Sequence, residues 1–579
     1  MNSFMSTIQS INDFLWHDYV LYAVLATGVL YTLWSVFSQY RSLTHGVAVT
    51  LGRYDNPNDP GAINHFQALS TAMSSTVGLG NIGGVALAIA LGGPGALFWM
   101  WVVGVIGMAV KVVEVTLAMM YRNLDDPDNP HGGPMWVARK AFAELGWARL
   151  GYTVGAIYCL ATIVGSFTGG NMFQAWNVAD VTNTYFGWPK VLVGAILAIT
   201  VGLVLVGGIK RIGHVTSVLV PFMCVAYMIG GIYVLILNID AIPGIIALIF
   251  RSAFNPIEAT GAFVGGSVGA AMLWGMKRAL YSSEVGLGSS AIAHSAAKTD
   301  EPVREGLVAG MEPFIDTLIV CTITGLVILS SGVWNRGADV VLEQLPEFEE
   351  SAAGVWTLAS IPLPEKKNGE AWFDDVDVFA IVSIGDPADR GHLHRLSGTV
   401  VLQSGMSAQG FVARFESIEA GQKPKLRDGG IYQSYTGASL TALAFNQTHD
   451  WLGVWLVTVA AWFFAVSTII SQGYYAEQAV IYLFRGRGLM LFKLLYCAAT
   501  FVATLGFMRT DRQLDAVTTT GTGLVLLASL PITLIFGYKA MAAYHDYIAR
   551  LKSGSMVPEH LHPHLIDVIS GKDVEEESS

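Results

Sequence analysis

Charge and cysteine are what this chain has least of. Only 13% of its 579 residues are Asp, Glu, Lys or Arg, against roughly 25% in a soluble domain. A chain of this length split into globular domains could not cover their surfaces with 33 basic and 44 acidic side chains. An ordinary soluble protein is excluded. The four cysteines, Cys159, Cys224, Cys321 and Cys497, each lie alone in an apolar run, so neither a disulfide framework nor a zinc site is implied. There is no HExxH motif and no protease-type pair of intramembrane aspartates, which leaves enzyme function without support. Basic stripes are missing too, and with a net charge of −11 nucleic acid is not expected as a partner. What the chain does have is apolar residues, 53% of the total, and a mean hydropathy of +0.50. It reads as an all-α polytopic membrane protein with the lipid bilayer as its first partner.

A helix needs about 20 apolar residues to cross a bilayer. Eleven segments qualify: 15–37, 66–91, 94–121, 150–173, 189–206, 214–237, 261–297, 311–333, 451–472, 490–508 and 517–539. The first lacks a basic n-region and a small-residue cleavage site, so it is expected to be retained. Lys and Arg set orientation from short loops. Arg41 and Arg53 follow the first span, Arg122, Arg139, Lys140 and Arg149 the third, and Lys210 and Arg211 the fifth. The alternate loops are poorer. The expectation is an N-terminus outside and a cytoplasmic C-terminus, in the inner membrane of a bacterium. Residues 334–436 break the pattern with a long polar stretch. Its alternating runs, such as Val376–Val382 and Thr399–Leu402, read as a small β-rich extracytoplasmic insert. An outside partner of that insert, and a sensing role through it, are left open.

Two spans carry the same interruption. Val77-Gly78-Leu79-Gly80-Asn81 in the second returns as Val285-Gly286-Leu287-Gly288-Ser289 in the seventh. Glycines beside hydroxyl residues are poor helix formers, and unwound backbone survives in a bilayer only where it lines a cavity or packs on protein. Breaks at corresponding places in two halves point to a transporter site near the midplane. A break frees N–H groups that attract a carboxylate and carbonyls that suit a small cation. The expected organisation is 1–65 as outer tail, first span and cytoplasmic loop, 66–260 as a first five-helix repeat, 261–540 as a second, inverted repeat interrupted by the insert, and 541–579 as a cytoplasmic tail.

Further strings make the chain recognisable. Gly92-Gly93-Pro94-Gly95-Ala96-Leu97-Phe98-Trp99-Met100-Trp101, Gly107-Met108-Ala109-Val110-Lys111 with Glu114, Phe66-Gln67-Ala68-Leu69, Gly170-Asn171-Met172 with Gln174, and Phe314-Ile315-Asp316-Thr317 through Cys321 closely resemble the alanine/glycine:cation symporter family. The resemblance spans about 66–335 and 437–540 and omits the insert. It implies sodium-coupled symport of a small neutral amino acid, on the inverted-repeat fold shared with the neurotransmitter:sodium symporters. It further implies that substrate meets Gly78, Leu79, Gly80, Asn81, Gln174, Tyr281, Ser283, Gly286, Thr468 and Gln472. Sodium, as the co-transported ion, would meet Ser74, Val77, Ser467 and Thr468, oxygen ligands of the kind a hard cation takes. A proton-coupled carrier is the runner-up. Two departures stand out, Leu79 where the family usually has a hydroxyl residue and Gln472 where it usually has Trp. A pocket-facing Gln472 makes the site more polar and roomier than one for alanine.

Charges inside spans default to functional or paired roles. Lys111 and Glu114 are three apart on one helix and are expected to pair. Asp316 is expected to be a hydrogen-bonded buried carboxylate. Glu284 sits in the second break, either touching the pocket or holding the unwound backbone. Lys277 and Arg278 mark an inner helix end or face a wet cavity. His560, His562 and His564, between prolines, read as a solvated tail.

Overall fold

Backbone amides in lipid have no water to bond, so apolar runs are forced into helices, and helices make up most of this structure. The computed structural model describes residues 2–255, 262–263, 267–367, 371–373, 376–385, 392–403, 410–435, 437–449, 451–506, 511–560 and 563–572. The expected boundaries at 260–261 and 436, and the end of the tail beyond 572, lie outside the described residues, as does His562.

Among the described residues, seven helices are long and apolar enough to cross a membrane, or eight if the bent pair His65–Thr76 and Gly80–Gly92 counts as one span. Two of the eleven expected spans are shorter apolar helices, Lys190–Leu205 and Leu489–Val502. The seventh is divided into Val268–Ser283 and Ser290–His294. Length and composition thus identify fewer spans than hydropathy alone suggests, because breaks and short helices divide the apolar runs.

The elements that position the site are α1 (His65–Thr76), α2 (Val85–Gly92), α3 (Gly95–Tyr121), α4 (Ala148–Phe167), α5 (Val268–Ser283), α6 (Ser290–His294), α7 (Pro302–Ala309), α8 (Thr458–Phe484) and α9 (Asp511–Lys552). Asn64 caps α1, its side-chain oxygen accepting from the Gln67 amide at 2.9 Å; such a cap stabilises a helix by about 1 kcal/mol. Polar tips buried along the helices find carbonyls, as aromatic side chains in apolar surroundings must. Trp16 Nε1 donates to the Thr519 carbonyl at 2.9 Å and Tyr31 Oη to that of Thr533 at 2.7 Å, fastening the first helices to α9.

Among the described residues, the strands between Val340 and Gln433 form two antiparallel sheets. The larger runs β1 (Val340–Val341), β9 (Lys425–Gln433), β5 (Asp377–Ser383), β6 (Leu393–Gln403), β7 (Gly410–Phe415) and β4 (Ile361–Pro362); the smaller runs β2 (Phe348–Ala352), β3 (Val355–Leu358) and β8 (Ile418–Glu419). Side chains alternate across a strand. Val378, Ala380 and Val382 therefore face one core with Leu396, Val400 and Ile431, while Phe379 and Ile381 face a second with Tyr432 and Ala262. Arg395 spans that second contact, lying over the Phe379 ring at 4.2 Å and donating to the Ala262 carbonyl at 2.8 Å.

The histidine-bearing tail is not a solvated strand. The His560 amide donates to the Arg53 carbonyl at 3.1 Å, and the helix Leu565–Ser570 docks with Val568 buried and its carbonyl bound by Asn64 Nδ2 at 2.7 Å. Val568 is the buried residue of that helix, whereas Leu565 and Ile566 stay exposed.

Candidate functional site

Helix α1 ends at Thr76 and the chain resumes in a wide π-helical turn over Gly80–Gly84 before α2, at a bend of 49°. The amides released there are taken by side chains. Gly78 N–H donates to Asn81 Oδ1 at 2.9 Å, and Leu79 N–H to Gln174 Oε1 at 3.2 Å. Gly78 is required by close approach, since a Cβ there would lie 2.6 Å from Thr468 Oγ1. That hydroxyl donates to the Ser74 carbonyl at 3.0 Å, and Ser74 Oγ donates to the Ser467 carbonyl at 2.9 Å. The unwound end of α1 is thereby laced to α8 through oxygen atoms.

The second break follows α5. Glu284 takes the left-handed conformation at φ 52°, and Gly286 and Gly288 do so at φ 81° and 65°, values L side chains rarely adopt. Glu284 is buried, and its carboxylate accepts from Ser289 Oγ at 2.5 Å and from Gln472 Nε2 on α8. Gln472 Oε1 in turn accepts from Ser166 Oγ at 3.1 Å.

The two breaks face one small cavity of about 40 Å³. Gly78, Gly80, Gln174, Tyr281, Thr468 and Gln472 line it. Leu79, Asn81, Ser283 and Gly286 stand outside that lining. The Leu79 side chain is fully buried, and Asn81 turns away to donate to Asp316. Ser283 Oγ donates back to the Ala279 carbonyl at 2.6 Å. A Cβ on Gly286 would meet Leu526 at 2.8 Å. Of the oxygen set around α1, Ser74, Ser467 and Thr468 are joined by the hydrogen bonds above, and Ser467 Oγ itself donates to the Phe464 carbonyl at 3.0 Å. The Val77 amide donates to the Met73 carbonyl at 2.7 Å. Glu284, Ser75, Ser166 and Ser289 also line the cavity. Hydroxyls on α1 at the i and i+1 positions of the break were the sequence signal for Ser75; Ser166 on α4 had none, being a single serine in an apolar helix.

The intramembrane charges pair across the fold rather than along helices. Lys111 does not meet Glu114: its Nζ lies 3.3 Å from Glu312 Oε2 and donates to Ser290 Oγ at 2.5 Å. A partner from outside the helix wins because both groups are fully buried, where an isolated charge is costly. Asp316 accepts from Thr317 Oγ1 at 2.8 Å and Ser282 Oγ at 3.1 Å as well as from Asn81, so it ties the first break to α5. Lys277 and Arg278 are buried beside aromatic rings, Lys277 Nζ lying 5.6 Å from Trp16 and 5.1 Å from Trp274.

A helical membrane protein with two interrupted helices around one shared cavity is the class that these features define. A family model for the sodium:alanine symporter family matches residues 1–358 and 425–561, and the chain belongs to that family. The unmatched 359–424 falls within the sheet-forming segment. The chain is 42% identical over 330 residues to the sodium/alanine symporter AgcS of Methanococcus maripaludis, covering 57% of this chain and 71% of that protein. It is 28% identical over 551 residues to the putative sodium/proton-dependent alanine carrier protein YrbD of Bacillus subtilis, covering 94% and 93%. The probable sodium/glutamine symporter GlnT of Bacillus subtilis is 35% identical over 324 residues, 56% of this chain and 65% of that one. Among solved structures, MhsT in complex with L-phenylalanine aligns over 85% of this chain and 98% of its own, with 11% identity and a TM-score of 0.46.

Proposed function

We propose that this protein carries a small neutral amino acid, of the alanine and glycine class, into the cell together with sodium by alternating access. The observation that carries the reading is the shared cavity: both matched breaks open onto it, and its lining brings together Gln174, Glu284, Gln472 and several hydroxyls. The amides of the first break, at Leu79 and Gly80, would take the substrate carboxylate, which displaces Gln174 Oε1 from the Leu79 N–H. The Glu284 carboxylate, in the same lining, supplies negative charge for the ammonium, so that one cavity answers both charges of a zwitterion. Gln174, Tyr281, Thr468 and Gln472 shape the space between, with Gly78 and Gly80 admitting close approach. Asn81, Ser283 and Gly286 act by holding the two breaks in shape.

Sodium would be held by the Ser74 and Val77 carbonyls with the Ser467 and Thr468 hydroxyls. Thr468 already touches the Ser74 carbonyl, so a cation there stiffens the end of α1 and presents its amides. Raised amino-acid affinity in sodium then follows, and the coupling is reciprocal. The proposed topology has eleven crossings in a five-plus-five inverted arrangement, the N-terminus outside, the C-terminus cytoplasmic and the sheets on the outer side.

The test is uptake of labelled L-alanine and glycine into proteoliposomes under an inward sodium gradient, with choline as control. Sodium-dependent uptake that falls in Thr468→Ala is expected. Uptake equal in choline would replace sodium by proton coupling. Failure to take up any neutral amino acid would end the carrier reading.

A further inference from the structure

Away from the cavity, a second polar chain crosses the helical core, and the carrier reading makes no use of it. His294, the last residue of α6, has both ring nitrogens against carboxylates: Nδ1 lies 2.5 Å from Glu305 Oε1 on α7, and Nε2 lies 2.7 Å from Glu312 Oε1. Glu312 continues to Lys111 on α3, at 3.3 Å. Glu305 continues through its other oxygen to His65 Nδ1, at the start of α1, and His65 Nε2 lies 3.9 Å from Asp55. The side chains of His294, Glu305, Glu312 and Lys111 are all 0% exposed, whereas Asp55 is 14% exposed.

Counting protons decides the state of this chain. A carboxylate oxygen only accepts, and a neutral imidazole has one N–H. Two short contacts from one imidazole to two carboxylates therefore require an extra proton, on the ring or on a carboxyl. With it, His294 and Lys111 balance Glu305 and Glu312. Without it, a nitrogen lone pair faces an oxygen lone pair and a net negative charge stays buried, which is costly in a dry interior.

We propose that His294 is a buried proton-binding site, loaded while α6 lies against α7 and Glu312, and emptied when they part. On release the proton passes to water, and the imidazolium becomes neutral imidazole with no other bond changed. Glu305 joins His294 Nδ1 to His65 Nδ1 by hydrogen bonds, and His65 Nε2 then faces Asp55 across 3.9 Å, where the chain nears solvent. Burial raises the Asp55 carboxyl above its ordinary range, so the solvent-facing end can itself hold a proton. Because His294 ends the short helix that follows the second break, its proton weights the position of that break. The other charged or titratable groups nearby include Glu114 on α3, Glu284 and Asp316 toward Lys111, Arg304 and His560 beside Asp55, and Arg122, whose guanidinium binds the Ser295 and Ala297 carbonyls at 3.1 and 2.8 Å. On α8 the one carboxylate, Glu477, is paired with Lys493 at 3.0 Å.

The inference does not rest on transport, and the test uses purified full-length protein with no substrate. With histidine ring nitrogens labelled with 15N, magnetic resonance at pH about 8, well above the ordinary imidazole value of about 6.5, should show one histidine still doubly protonated. That signal should vanish in His294→Gln. It should also vanish in Glu305→Gln, whose amide donates to Nδ1 and removes the need for the second proton. Unfolding temperature should fall as pH rises in the parent protein, because the charged form is the folded one, and should be flatter in both variants. A parent with every imidazole neutral at that pH overturns the proposal without either variant. A retained imidazolium signal that survives His294→Gln also overturns it.

Discussion

The two breaks share the string Val-Gly-Leu-Gly, yet they are held in opposite ways. At Val77–Asn81 the freed amides are met by neutral groups, Asn81 and Gln174, and the end of α1 is laced to α8 by hydroxyls. At Glu284–Ser289 the backbone is held by charge. Glu284 is clasped by Ser289 and Gln472, and Ser290 beyond it takes a hydrogen bond from the ion-paired Lys111. Neutral hydrogen bonds contribute about 1 kcal/mol each and exchange readily with a ligand. A buried ion pair that loses one partner costs about 3–5 kcal/mol. The same local sequence thus yields a first break whose amides have neutral partners that a ligand can replace, and a second built around a carboxylate that faces the same cavity. The difference lies in what the rest of the fold brings to each.

Substitutions can separate the two. Lys111→Met should have the largest effect, leaving Glu312 without its lysine and lowering stability by about 3–5 kcal/mol, read as the midpoint of thermal unfolding. If a change at the first break destabilises more than this one, the contrast fails. Gly78→Val should come next. Its Cβ would sit 2.6 Å from Thr468 Oγ1, an overpacking that costs about 1–3 kcal/mol, and sodium-driven uptake should drop about 10- to 100-fold. Thr468→Ala removes one hydrogen bond to the Ser74 carbonyl, about 0.5–1.5 kcal/mol. Half-saturation by sodium should rise about 2- to 10-fold while the unfolding midpoint stays near the parent's. Ser166→Ala loses only the 3.1 Å bond to Gln472. Uptake within about twofold of the parent is expected, an effect of about 0.5 kcal/mol or less; a tenfold loss would mean that Gln472 depends on Ser166 for its position.

What could be read from the sequence follows the range of the interactions. The breaks were legible because glycine and hydroxyl residues act on their own backbone. The alternating runs 376–382 and 399–402 lie within or beside β5 and β6, since a period of two is local. A spacing of three along one helix points Lys111 to Glu114, whereas Glu312 reaches it only through the packing of separate elements. His294 and Glu305 are 11 residues apart and His65 and Glu305 are 240 apart, with no periodicity to connect them. The docked tail escaped notice for the same reason: His560 and Val568 find partners at Arg53 and Asn64, contacts that a composition of prolines and histidines does not announce. Asn81 illustrates a finer limit. Its place in the motif suggests a pocket residue, but its side chain faces Gly78 and Asp316 and braces the turn from behind.

The central claim is that sodium and a small neutral amino acid bind together at the first break. The most direct measurement is the unfolding midpoint of purified protein against a panel of neutral amino acids, in sodium chloride and in choline chloride. A ligand of the folded state must raise that midpoint. The account predicts that at least one small neutral amino acid does so in sodium only, and that Thr468→Ala weakens the effect. Equal stabilisation in choline, or none from any member of the panel, would contradict it.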